Sequence, residues 1–167
     1  MCPDPDATAP PEPPVVTPHF AFTRKQYIGI PLLAVIPVLT LLGVFGEKRE
    51  TARATSRALE MRVEYPSRFR YRQVEALDIA ITNVSVRTLD TVTVSLDTAY
   101  ITRFSGVRIS PEPQQNFVVA LSSVKPRETR LIHAELWGER YGSHRGEIVG
   151  AASTDTVRQQ IETFVFP

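Results

Sequence analysis

From Leu59 to the last residue, apolar and polar side chains alternate along much of the chain. Every second residue is apolar in five segments, 59–65, 68–72, 76–83, 90–96 and 130–137, and 160–167 follows the same period with Ile161, Thr163 and Val165 on one face. Because successive side chains of a strand point to opposite faces of a sheet, such alternation indicates strands with one buried face. The pattern therefore predicts about seven or eight short strands over residues 59–167, at the spacing of about 8–12 residues that is typical of a β-sandwich.

The breaks between these segments carry residues that favour turns. They are Asn83, Gly106, SPEP at 110–113, KPRE at 125–128 and YGSHRG at 141–146. Asn, Gly and Pro each permit backbone angles that a continuous strand does not use. The predicted fold class of this region is therefore mainly β.

Two stretches of the region resemble CARDB-type bacterial extracytoplasmic domains. LDIAITNVSVRTLDTVTVSL (77–96) is similar to their alternating strand, Asn-containing turn and Val-rich strand. FVVALSSVKPRETRLIHAEL (117–136) is similar to their later turn and strand, with Arg127 where those domains usually have Gly. The resemblance covers about residues 59–167. It implies an immunoglobulin-like antiparallel β-sandwich that serves as a binding or spacer module.

The run Tyr27–Gly46 contains no charged residue. Twenty helical residues span about 30 Å, the thickness of the hydrocarbon core of a bilayer. A signal peptide has a shorter apolar region and a cleavage site of small residues, and a buried soluble helix usually keeps a polar face. We therefore expect a transmembrane helix over 27–46. Pro31 and Pro37 would kink it, which favours packing against other helices.

The segments on either side of the run differ in composition. Residues 1–26 hold seven of the chain's fourteen prolines and predict an extended Pro-rich tail, either a spacer or a ligand for a partner. Residues 47–58 are charged and predict a polar stalk. Aromatic and basic side chains favour the membrane interface, so the expected interface anchors are Phe20, Phe22, Arg24, Lys25 and Tyr27.

Two arguments on orientation conflict. Two basic residues precede the run and five follow it closely, namely Lys48, Arg49, Arg53, Arg57 and Arg62, which favours a cytoplasmic domain. Arg24 and Lys25, however, lie directly against the run as in an uncleaved signal anchor, and the CARDB resemblance favours the outside. We expect an inner (plasma) membrane protein with a cytoplasmic tail and a periplasmic domain, and the opposite orientation stays open.

Catalytic and metal chemistry find little support in the residue types present. The net charge is +1, and Cys2 is the single cysteine. A copper or zinc site needs converging thiolate, imidazole or thioether ligands, and the β region has only His133, His144 and Met61. No nucleophile, phosphate-binding or dinucleotide motif occurs. We expect no catalytic residue, cofactor or metal, and no nucleic acid or small-molecule substrate.

Two groups of residues are candidates for partner binding. Arg68, Arg70 and Arg72 lie on one strand face, where like charges suit an acidic protein surface or anionic lipid headgroups. Trp137 and Tyr141 flank a Gly-rich turn and belong to residue types that dominate binding interfaces. The alternatives are a solvated strand face for the arginines and a place in the core for Trp137.

The sequence as a whole predicts a non-catalytic, single-pass accessory subunit of a larger membrane complex. Its partners would be other integral membrane subunits and the lipid bilayer, and a bacterial respiratory or photosynthetic electron-transfer complex is the expected host. One alternative is a free-standing cell-envelope binding or adhesion module. Another is a metallochaperone or assembly factor.

Overall fold

Two units make up the chain in the computed structural model, which describes residues 24–41, 46–153 and 155–167. The division falls after Val44. Helix α1 of the first unit spans Arg24–Leu41 and includes Pro31 and Pro37. The second unit, which begins at Phe45, is built from strands and one short helix.

Helix α1 covers only part of the predicted span 27–46. It contains Arg24, Lys25 and Tyr27, whereas Phe20, Phe22, the rest of the tail to residue 23, and residues 42–45 lie outside the described residues. Within the described ranges, no helix has both the length and the apolar character required to cross a membrane.

The described part of the second unit is mainly β, as predicted. Its elements in chain order are β1 (Lys48–Thr55), β2 (Leu59–Arg70), β3 (Val74–Asn83), β4 (Leu89–Leu96), α2 (Thr98–Ile101), β5 (Gly106–Ser110), β6 (Val118–Val124), β7 (Thr129–Trp137), β8 (Gly142–Ala152) and β9 (Asp155–Phe166). The alternating segments 59–65 and 68–72 belong largely to one strand, β2, which continues through Pro66.

Strand β2 connects the two halves of a curled sheet. The strand order is β5-β7-β3-β2-β9-β8-β4-β6, and β1 pairs with β2 beside this path. Residues Leu59–Glu64 run antiparallel to β3, whereas Arg68–Arg70 run parallel to Phe164–Phe166 of β9. The alternating apolar residues of both halves fill one core: Leu77, Ile79 and Ile81 of β3 are fully buried, and so are Val92 and Val94 of β4.

Strand β1 replaces the polar stalk that we expected over 47–58. Lys48–Thr55 pair antiparallel with β2 along almost its full length, from Lys48 opposite Arg68 to Thr55 opposite Glu60. The strand forms because its small residues Ala52 and Ala54 pack against the core while its charged residues stay at the surface. The β region therefore starts at residue 48, not at residue 59.

These pairings define the two ends of the sandwich. The near end is the end at which the chain enters the sandwich, at Glu47. There the Glu47 carboxylate accepts a hydrogen bond from Gln73 Nε2 (2.8 Å), and Lys48 lies opposite Arg68. At the far end Leu59 lies opposite Asn83, which precedes the exposed loop 84–88. The candidate docking surface lies at the near end.

Candidate docking surface

The last residues of β2 and β9 place arginines and aromatic rings on the outer face of the sheet. In the parallel register Arg68 lies beside Phe164 and Arg70 beside Phe166, while Phe69 between them is fully buried. Tyr141, the residue before β8, continues the surface. The set, called the arginine–aromatic patch below, comprises Arg68, Arg70, Tyr71, Arg72, Tyr141, Phe164 and Phe166.

Two guanidinium groups of the patch lie over aromatic rings. The Arg70 guanidinium carbon is 5.8 Å from the ring centroid of Phe166, and that of Arg72 is 5.3 Å from the centroid of Tyr71. The Tyr71 ring in turn packs at 4.7 Å against Tyr141. Cation–π contacts of this kind restrict the arginine side chain while leaving its N–H groups free to bind an anion.

The backbone holds the turn after β2 in one position. The Tyr71 N–H donates to the carbonyl of Phe166 (2.8 Å) and the Arg72 N–H to the carbonyl of Gly138 (2.7 Å). Arg72 has φ of 62°, a left-handed conformation that costs a non-glycine residue free energy. The two hydrogen bonds offset that cost and join three separate parts of the chain at the patch.

Glu47, hydrogen-bonded to Gln73 in the turn after β2, is an acidic neighbour of the patch, but it forms no ion pair with the patch arginines among the described residues. Arg68, Arg70 and Arg72 form no ion pair there, whereas Arg145 nearby pairs with Glu162 (Nε to Oε2, 3.1 Å). The Ser143 hydroxyl donates to the same Glu162, and this bond, with Arg145, lowers the pKa of that carboxyl. Glu162 is thus engaged already, and the three arginines remain available to an outside anion.

Two exposed rings add apolar surface to this charge. Tyr141 is 58% and Phe164 45% exposed. Aromatic and arginine side chains are enriched where proteins bind partners, because they offer large rigid contact area and strong hydrogen-bond donors. The patch therefore contains the residue types that are enriched in docking surfaces.

The structure brings together most, but not all, of the predicted site residues. Arg72, in the turn after β2, meets Tyr141 through Tyr71. Arg68 and Arg70 lie on the strand itself, beside Phe164 and Phe166. Trp137 is half-buried and its ring packs on Gly106 of β5, where an added Cβ would be 3.4 Å from Trp137 Cδ2. Trp137 thus helps to join β5 to β7 and is not part of the patch.

The sequence reasoning missed Tyr71, Phe164 and Phe166. A signal for the last two was present, because they alternate with the inward-facing residues Thr163 and Val165 and must therefore face outward. Whether the patch residues bind a partner stays a prediction.

The two histidines of the sandwich have structural partners. His133 Nδ1 contacts Asp78 Oδ1 at 2.5 Å, and Arg49 bridges Asp78 (2.9 Å) and Glu64 (3.3 Å), so each of these side chains has a partner within the outer-face cluster. His144 is buried with Nε2 2.8 Å from the carbonyl of Arg140. Across the described parts of the chain, no group of three or more His, Cys, Asp or Glu side chains is placed to hold a metal ion.

Several solved structures are similar to this chain. A CARDB domain of PF1109 from Pyrococcus furiosus, solved by NMR, has 10% identity and a TM-score of 0.44 over 65% of this chain and 94% of that one. A crystal structure of the same domain in complex with di-metal ions has 13% identity and a TM-score of 0.43, over 67% of this chain and 92% of that one. The GAE domain of GGA2p from Saccharomyces cerevisiae has 12% identity and a TM-score of 0.41, over 72% of this chain and 98% of that one.

No family model and no curated protein matches the chain. The CARDB domains are of the class that the sequence resembles, but identities and TM-scores this low carry no functional argument. The description of the fold rests on the strands and their pairing.

Proposed function

We propose that this chain is a non-catalytic accessory subunit of a larger membrane complex. The apolar run 27–46 tethers it to the inner membrane, and its immunoglobulin-like sandwich docks through the arginine–aromatic patch on an anionic surface. The helix packs among other membrane subunits, and a respiratory or photosynthetic electron-transfer complex remains the expected host.

The observation that carries the proposal is the uncompensated patch. Three arginines without a carboxylate partner among the described residues lie beside rings that are about half exposed. Like charges gathered on one surface repel each other, and no carboxylate of the described residues forms an ion pair with these three arginines. An external anionic surface offsets this repulsion, and exposed Tyr and Phe rings add apolar contact area to such a complex.

The tether is supported by the sequence alone. Twenty successive residues without a charge favour lipid over water, and the proposed orientation keeps the tail before residue 27 in the cytoplasm. Cys2, the single thiol, tests this orientation. In intact cells a membrane-impermeant thiol reagent should leave Cys2 unlabelled, and labelling would reverse the proposed orientation.

Arginine footprinting of the full chain in its native membranes tests the docking. We expect phenylglyoxal to label Arg70 and Arg72 several-fold less than Arg87 and Arg127, two exposed far-end arginines without an ion pair among the described residues. High salt should abolish the difference because screening weakens contacts between charges. Equal labelling of the two pairs at low salt would refute docking through the patch.

Two further measurements test the subunit role. The full chain should stay in the membrane after alkaline carbonate extraction, since a tether in lipid does not depend on charge. In mild detergent it should comigrate on a native gel with an assembly much larger than 18.7 kDa. A chain released by carbonate contradicts the tether, and a chain that stays in the membrane but migrates alone favours the free-standing binding module.

A further inference from the structure

The patch lies at the end of the sandwich where the polypeptide arrives from the apolar run. That run ends at Gly46, and the next residue, Glu47, is already hydrogen-bonded to Gln73 in the turn after β2. Lys48 then pairs with Arg68, a member of the patch. Glu47 and Lys48 directly follow Gly46 in the sequence, so at most about 3.6 Å of chain per residue separates the last residue of the run from these two positions.

The side chains of the patch match the chemistry of a bilayer surface. Phosphate oxygens accept hydrogen bonds from guanidinium groups in a two-pronged geometry, and the rings under Arg70 and Arg72 restrict those groups without using their N–H donors. Tyr and Phe rings favour the boundary between headgroups and acyl chains. Tyr141 and Phe164 are exposed enough to enter that boundary.

We propose that the arginine–aromatic patch rests on the anionic headgroups of the bilayer into which its own chain is tethered. This inference depends on the tether of the proposed function and names the surface to which the patch docks. The sandwich then stands with its near end on the lipid and its far-end loop, residues 84–88, away from it. A protein partner at the patch is the competing possibility, and the experiment below separates the two.

The size of the effect follows from the charges. An arginine near an anionic membrane surface strengthens binding about fivefold at physiological ionic strength. The three arginines together therefore favour the docked position by roughly 100-fold, and replacing two of them with Glu more than removes this advantage. Because the Debye length falls from about 30 Å at 0.01 M to about 3 Å at 1 M salt, docking should weaken steeply across that range.

The test uses the full chain in vesicles that contain no other protein. Trp137, the single tryptophan, is replaced by Phe, and one new tryptophan is introduced. The patch probe is Phe164→Trp, and the far-end probe is Val86→Trp, where the native side chain is 91% exposed. The vesicles are phosphatidylcholine with or without about one third phosphatidylglycerol, and a nitroxide on the lipid headgroup quenches nearby tryptophan. Flotation of the vesicles reports the tether separately.

We expect strong quenching of the patch probe in the phosphatidylglycerol vesicles and several-fold weaker quenching in pure phosphatidylcholine. The far-end probe should not be quenched in either. R70E/R72E should remove the quenching of the patch probe, whereas the matched control R87E/R127E, with the same change in charge at the far end, should leave it intact.

Three results would count against the inference in distinguishable ways. Equal quenching of the two probes overturns the proposed contact with lipid. The chain could float with the vesicles without quenching of the patch probe, while Arg70 and Arg72 are protected from phenylglyoxal in native membranes. That result would assign the patch to a protein partner and would leave the proposed function standing. A chain that does not float contradicts the tether itself.

Discussion

Asn83 provides the sharpest test of how the far end is held together. Its side chain is fully buried at the end of β3. Nδ2 donates to the carbonyl oxygens of Arg87 (2.8 Å) and Val124 (2.9 Å). Oδ1 accepts from the N–H (2.9 Å) and the hydroxyl (2.7 Å) of Ser85. One amide thus fixes the loop 84–88 and ties it to the end of β6.

The cost of Asn83→Ala follows from these four bonds. The bond to Val124 is buried, and removing the donor leaves a carbonyl without a partner at a cost of about 1–3 kcal/mol. The other three bonds are partly buried and contribute roughly 0.5–1 kcal/mol each, because water replaces some of what is lost. We expect Asn83→Ala to lower the free energy of unfolding by roughly 2.5–6 kcal/mol in total.

The assay is urea unfolding of the full chain in mild detergent, followed by the fluorescence of Trp137. The control is Thr82→Ala, one residue earlier in β3, which removes only an exposed hydroxyl contact with Thr129 (2.8 Å). We expect the control to change stability by about 0.5 kcal/mol, as for a surface substitution. If Asn83→Ala is no more destabilising than Thr82→Ala, the hydrogen bonds of the Asn83 amide do not stabilise the sandwich as its contacts indicate.

Two further predictions concern packing and pH. Gly146→Ala should strongly lower the thermal unfolding temperature, because its Cβ would overlap Tyr100 Cβ. Gly106→Ala, whose Cβ would have its nearest neighbour at 3.4 Å, should leave that temperature nearly unchanged. Equal effects of the two substitutions would contradict the packing. The Asp155 carboxylate accepts from the Ser56 hydroxyl and the Ala58 N–H, which lowers its pKa below the ordinary 3.8. Its stabilisation is therefore full above about pH 4 and is lost as the pH falls through the lower folded pKa. Asp155→Asn should weaken this acid dependence, and an unchanged profile would exclude the linkage.

The sequence was informative where a strand has one apolar face. Residues of β3 and β4 alternate cleanly, so their existence and their buried faces followed from period two alone. Strand β8 gave no such signal, because its inward positions include His144, Gly146 and Gly150. Glycine has no apolar side chain to mark a buried position, and at residue 146 the ring of Tyr100 takes the space.

Strand β1 and the patch could not be predicted from the local sequence pattern, because both depend on pairing between separate strands. The charged sequence of β1 is compatible with a helix in isolation, and it becomes a strand because the edge of β2 is free to pair with it. The patch needs the parallel pairing of β2 with β9, which brings Arg70 beside Phe166 although the two are far apart in sequence. The arginines, and the outward direction of Phe164 and Phe166, could be found from the sequence, but the pairing that brings them together could not.

The pairing of β1 with β2 also determines how the sandwich bears mechanical load. A pull on the chain at Glu47 acts along the axis of β1, while the hydrogen bonds of its antiparallel ladder run across that axis. The ladder is therefore loaded in shear, so its bonds share the force and must break together. A pull along that axis would then move the sandwich as one body and would not peel its first strand away.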